Sequence, residues 1–106
     1  MNVNTKKVWL IGNMEAFKFS KFDNQLSSAE FYLQTKTSFY ESSGLKTTQL
    51  LKYPCRIFGK QAEQLERFTK DGTELAVEGV LVNNSTKNKP AETYVQINDL
   101  LILNNR

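Results

Sequence analysis

Apolar and polar residues alternate in short runs along most of this chain, and turn residues separate the runs. The clearest run is AEFYLQT (29–35), where Ala29, Phe31 and Leu33 share one face and Glu30, Tyr32 and Gln34 the other. Alternation with period two marks a half-buried strand. KKVWLIGNM (6–14) reads as an earlier strand closed by Gly12-Asn13. EAFKFSKFDNQ (15–25) alternates aromatic and polar residues up to a turn at Asp23-Asn24, as either a separate strand or an extension of the first. Its Phe17, Phe19 and Phe22 are assigned to packing.

KTSFYESSGLKTTQ (36–49) is polar around Ser42-Ser43-Gly44 and reads as a long loop or a mobile hairpin. LLKYPCRIFG (50–59) resumes the strand pattern. Pro54 cannot donate a ladder hydrogen bond, so this strand has an edge or a bulge there. The period then changes. In KQAEQLERFTKDG (60–72), Ala62, Leu65 and Phe68 recur every three residues with polar residues between them, which predicts one amphipathic helix stopped at Gly72. TELAVEGVLV (73–82) is a strand with Leu75, Val77 and Leu81 on one face, and Gly79 among them predicts a sharp bend or a close backbone approach. NNSTKNKPAE (83–92) reads as a polar, basic loop, and TYVQINDLLIL (93–103) as the last strand.

The order is β-β-β-α-β-β over one domain, 1–106. Short bent strands with one helix between the third and fourth predict an all-β fold, a small closed five-stranded barrel rather than a sandwich. The helix is expected to plug the barrel bottom with Ala62, Leu65 and Phe68.

Composition narrows the chemistry. The chain has 106 residues, enough for one small core, and 40% of them are apolar. The net charge of +3 permits a polyanionic partner without requiring one. Histidine is absent, which removes the commonest general base and metal ligand. With Cys55 as the only cysteine, neither an internal disulfide nor a usual zinc site is available. Asp23, Asp71 and Asp99 sit in turn-like contexts and read as turn chemistry. No phosphate-cradling glycine motif is present, so no cofactor and no metal are expected and an enzyme is disfavoured. No run approaches a membrane span, and the apolar run after Lys6-Lys7 is too short for a secretory signal. A cytoplasmic, membrane-free protein is expected.

Binding fits better. Under strict alternation Lys52, Pro54, Arg56, Phe58 and Lys60 share one face of the third strand, and Cys55 and Ile57 the other. An exposed ring between cations suits an unpaired nucleic-acid strand, since the ring stacks on bases and the cations track phosphates. The alternative for Phe58 is a ring covered by a loop or a second subunit. Phe39, Tyr40 and Lys46, after the second strand, and Lys87 and Lys89, after the fourth, extend the track or anchor their loops. Trp9 lies off the Val8/Leu10 face and serves either base stacking or a subunit interface. Tyr53 points inward unless Pro54 introduces a bulge.

These segments resemble those of the bacterial-type single-stranded DNA-binding proteins. KVWLIGN is similar to the family's opening strand, AEFYLQT to its second, CRIFGKQAEQLERFTKDGTELAVEG to its strand-helix-strand core and INDLLIL to its closing strand. The resemblance implies an OB-fold Greek-key barrel, sequence-independent binding of single-stranded DNA in replication, recombination or repair, and a homo-oligomer, dimer or tetramer. It assigns Phe58 as the stacking aromatic before Gly-Lys and puts another near Phe39 and Tyr40. The family's earlier strand tryptophan is replaced by Lys52 next to Tyr53, and that of the fourth loop has no counterpart, which implies weaker stacking and more reliance on charge. The Gly/Pro-rich tail with an acidic tip is also missing after LILNNR, as in a trimmed chain or in tail-less primosomal, phage or plasmid forms. The F-G-K-x-A-E helix favours a minimal single-strand binder over the primosomal replication protein B group. The alternatives are an OB-fold protein-interaction or primosome-assembly module contacting replication or recombination proteins, and an RNA binder.

Overall fold

Alternation dictates which side of each strand turns inward, and the observed core follows it. The computed structural model describes residues 6–23, 25–86 and 89–104. Five strands and one helix follow in the order β1 (Lys6–Lys21), β2 (Ser27–Tyr40), β3 (Lys46–Phe58), α1 (Lys60–Phe68), β4 (Glu74–Thr86) and β5 (Lys89–Asn104). They close into a barrel with neighbours β1-β2-β3-β5-β4. Ala29, Phe31 and Leu33 of β2, Cys55 and Ile57 of β3, Leu75 and Val77 of β4, and Val95 and Ile97 of β5 fill it.

β1 is one long strand, so 15–25 is largely an extension of the first run, and Gly12-Asn13 does not close it. Its first half pairs with β4 and its second with β2, and the register shifts between Glu15 and Lys18. Ala16 takes a positive φ of 54° at this bulge. The Asp71 carboxylate accepts hydrogen bonds from the Ala16 and Phe17 amides at 3.2 and 3.1 Å. Asp71 thus serves the bend of β1 from a turn that is itself tied to Met14, through Gly72 N–H to the Met14 carbonyl at 2.7 Å. Bulges bend strands in this way. Phe17 and Phe19 pack on the core, but Phe22 is exposed beyond the end of β1, contrary to its assignment to packing.

Of the two readings of the 36–49 stretch, a long loop or a hairpin, the structure has the hairpin. β2 and β3 pair without interruption from Ser28↔Phe58 to Tyr40↔Lys46, and the Glu41 amide closes the turn on the Leu45 carbonyl at 2.9 Å. The register carries through Pro54↔Tyr32, so there is no bulge at Pro54. Among the described residues β3 meets β5 in parallel only at Cys55↔Val95 and Arg56↔Gln96, which leaves 46–54 with one edge open there, where proline is tolerated. The 83–92 segment likewise lies mostly in β4 and β5, paired from Asn83↔Thr93 to Thr86↔Lys89.

Gly59, at φ 81°, reaches the left-handed region that glycine enters freely, and there it turns β3 into α1. Ala62 and Leu65 close the barrel end, each fully buried. Phe68 is 54% exposed and does not join them. The helix also ends sooner than Gly72, because Thr69 is extended while its amide and hydroxyl both bond the Leu65 carbonyl. Gly79 meets the expected close approach: a Cβ there would run into the Gln96 carbonyl across β5. Leu81, two residues on, keeps the face of Leu75 and Val77, opposite Val95, but is 37% exposed.

Burial sets the chemistry of Cys55. Desolvation pushes its thiol up from 9.0 to about 12, partly offset by the Leu33 backbone. The folded state holds this proton where the unfolded chain loses it, so the contribution to stability is complete below pH 9 and falls away between 9 and 12. A disulfide exchange reagent at pH 8 should therefore leave the native protein unmodified and label one thiol per chain in denaturant.

Candidate nucleic-acid interface

The outer face of the β2–β3 ribbon carries the side chains that alternation turned away from the core. In register along it stand Phe58 opposite Ser28, Arg56 opposite Glu30, Pro54 opposite Tyr32, Lys52 opposite Gln34, and Lys46 opposite Tyr40. Phe58 is 47% exposed and Tyr40 74%. At about 3.3 Å per residue the face runs about 40 Å from Phe58 to Lys46.

Arg56 is the best-held member. Its guanidinium carbon lies 4.3 Å from the centroid of the Tyr94 ring on β5, and its Nε lies 3.5 Å from a Glu30 carboxylate oxygen. A cation over an aromatic face is attracted by the ring quadrupole. Lys52 Nζ pairs with Glu15 of β1 at 3.0 Å. An open groove of about 300 Å³ runs between these groups, lined by Lys18, Glu30, Tyr32, Pro54, Arg56 and Tyr94. β3 and β5 are parallel where they meet, so the β2–β3 and β4–β5 hairpins leave the barrel in the same direction, with Arg56 and Tyr94 at the fork.

The remaining sequence candidates divide by position. Phe39 pairs with Thr47 on the opposite face of the ribbon from Tyr40. Tyr53 also turns inward and packs on the core, as the unbroken register at Pro54 requires. Lys60 is exposed but is the first residue of α1; the strand ends at Phe58, so alternation does not carry Lys60 onto this face. Lys89 begins β5 opposite Thr86, and Lys87 falls outside the described residues. Trp9, 68% exposed, pairs with Glu78 of β4 on a different face, beside Ala76 and Leu101.

Tyr32 and Tyr94 were missed as candidates. The alternation of AEFYLQT already turned Tyr32 outward. In TYVQI the same rule puts Tyr94 opposite to Val95, but only the β3–β5 register brings it to Arg56.

A closed five-stranded barrel, with a helix between its third and fourth strands and a basic, aromatic face on its second and third, belongs to the OB class. Within that class the chain belongs to the single-strand binding protein family, whose model matches residues 5–101. Solved structures repeat the fold. Plasmodium falciparum SSB in complex with ssDNA matches at 18% identity and a TM-score of 0.83, over 98% of this chain and 100% of that one. A small single-stranded DNA-binding protein from Streptomyces coelicolor matches at 13% identity and a TM-score of 0.75, over 95% of both chains. The single-stranded DNA binding protein from Thermus aquaticus matches at 22% identity and a TM-score of 0.81, over 98% of this chain; the chain spans about half of that protein, 53%. No curated protein sequence matches significantly.

Proposed function

We propose that this protein binds single-stranded DNA without sequence preference, along the outer face of the β2–β3 ribbon. The observation that carries the reading is the alignment of Phe58, Arg56, Tyr32, Lys52, Lys46 and Tyr40 on one face, with Tyr94 stacked under Arg56. Rings receive bases and cations receive phosphates, and neither contact reads sequence. Family membership supports the same reading. The protein then binds and releases its ligand without chemistry. Lys60, Lys87 and Lys89 are kept in the reading as further cations, and Phe39, Tyr53 and Trp9 are left out of the stacking set.

Oligo-dT should shift the protein in a gel at low salt, with affinity falling linearly in log salt as counterions are released. No shift at micromolar protein and low salt overturns the proposal. An RNA oligomer of matched sequence, competed against the DNA, separates the two ligands.

Self-association is part of the same reading. Trp9, Ile11 and Leu101 stand exposed on the outer face of β1, β4 and β5, an apolar area that water does not favour. Light scattering should give a molar mass that is a multiple of 12.2 kDa, and Trp9→Ser should lower it toward one chain.

A further inference from the structure

The cations of the ribbon face are not presented bare. Lys52 is held by Glu15 at 3.0 Å, and Arg56 by Glu30 at 3.5 Å. Register sets Glu30 directly across from Arg56, whereas Lys52 reaches diagonally over β2 to Glu15 on β1. Glu30 lies directly across from Arg56 on β3 and from Lys18 on β1, so it is flanked by two cations in one row over three strands. Glu15 lies directly across from Tyr32, one row along from the Gln34–Lys52 pair, and it immediately precedes the bulge that Asp71 fixes. The carboxylates thus stand in the two rows next to Phe58, between its ring and that of Tyr40.

We propose that Glu15 and Glu30 are built-in competitors of the DNA backbone: they occupy Lys52 and Arg56 in the free protein and must yield before a phosphate can reach either cation. The inference rests on the reading of this face as the DNA site. Two consequences follow from the pairing. A phosphate gives up its condensed counterion only when a cation is free to neutralise it, so a face whose cations are held by carboxylates gives a shallower salt dependence than its number of basic residues implies. A phosphate that stops over either carboxylate meets like charge, so the backbone is steered to the flanks and bases are left over Tyr32 and Pro54. Exposed ion pairs are weak, so the barrier they impose is small and the grip is tunable rather than blocked.

The test compares Glu15→Gln, Glu30→Gln and the double variant with wild type, by fluorescence titration of oligo-dT over a salt series. Glu66→Gln, exposed on α1 away from this face, controls for the same change in net charge. Each of the single changes at 15 and 30 should tighten binding about two- to fivefold at low salt, the range that an exposed pair supports. Each should also steepen the log–log salt slope by up to about 0.7, the value for one further phosphate contact on a single strand. Glu66→Gln should leave the slope unchanged. A second cycle separates competition from simple repulsion: in a background with both Lys18→Gln and Arg56→Gln, Glu30→Gln should have no effect on the slope, because both cations that flank it are gone.

Unchanged affinity and slope in both carboxylate variants, with wild type still binding, overturns the competition and leaves the DNA-binding reading intact. An effect of Glu30→Gln that persists without Lys18 and Arg56 also overturns it. If wild type fails to bind and the double variant binds, the competition is supported in its strongest form. If neither binds, both readings fall.

Discussion

A Leu65→Ala protein should unfold about 2–5 kcal/mol more readily than wild type, the range for deleting a buried leucine side chain. Leu65 is fully buried at the barrel end and is one of only two α1 residues that are. Against a total stability of about 5–15 kcal/mol this is a large fraction, so the melting temperature should drop by at least about 10 °C. Phe68→Ala provides the contrast. The sequence pattern makes Phe68 the third member of the plug, whereas its ring stands 54% exposed. Its loss should stay within about 0.5 kcal/mol, the usual range for surface substitutions. Thermal melts of the two variants decide between the pattern and the geometry: equal losses would return Phe68 to the core.

The second large effect concerns binding. Phe58→Ala and Tyr32→Ala should each weaken oligo-dT binding by about 1–3 kcal/mol, the cost of removing one stacking partner. Tyr32 lies opposite Pro54, four positions along β3 from Phe58, or about 13 Å. Sites at that separation, with no shared partner, act independently. The double variant should therefore lose about 2–6 kcal/mol, a rise in Kd of about thirtyfold to twenty-thousandfold. Both rings are exposed, so the melting temperature should hold. A titration with wild-type affinity in the double variant would remove this face from the binding reading.

Local pattern carried the barrel a long way. Alternation placed Cys55 and Ile57 inward and Arg56 and Phe58 outward, because each of those residues is half in and half out of one core. It left the 36–49 ribbon open between loop and hairpin for the same reason: that segment stands beyond the barrel, both its faces meet solvent, and no burial imprints a period on it. Lys60 was grouped with Phe58 by running the period past Gly59, where the positive φ ends the strand. Phe22 was assigned to the core by its type, one residue after the strand that would have carried it there had ended. Tyr94 could not be tied to Arg56 by any reading of its neighbours. The two meet through a parallel pairing of segments forty residues apart, Cys55 with Val95, which chain order does not reveal.

That short parallel seam has a cost for the molecule in a crowded cell. Over 46–54, β3 shows a row of amides and carbonyls unused by the described residues, the kind of edge onto which another chain can add a strand and begin an aggregate. The residues along it are those that discourage such growth: Pro54 withholds a donor, and Lys46 and Lys52 bring charge that a stacking copy would have to bury or repel. The basic side chains assigned to the ligand thus also act as gatekeepers, and stripping them would endanger solubility together with affinity.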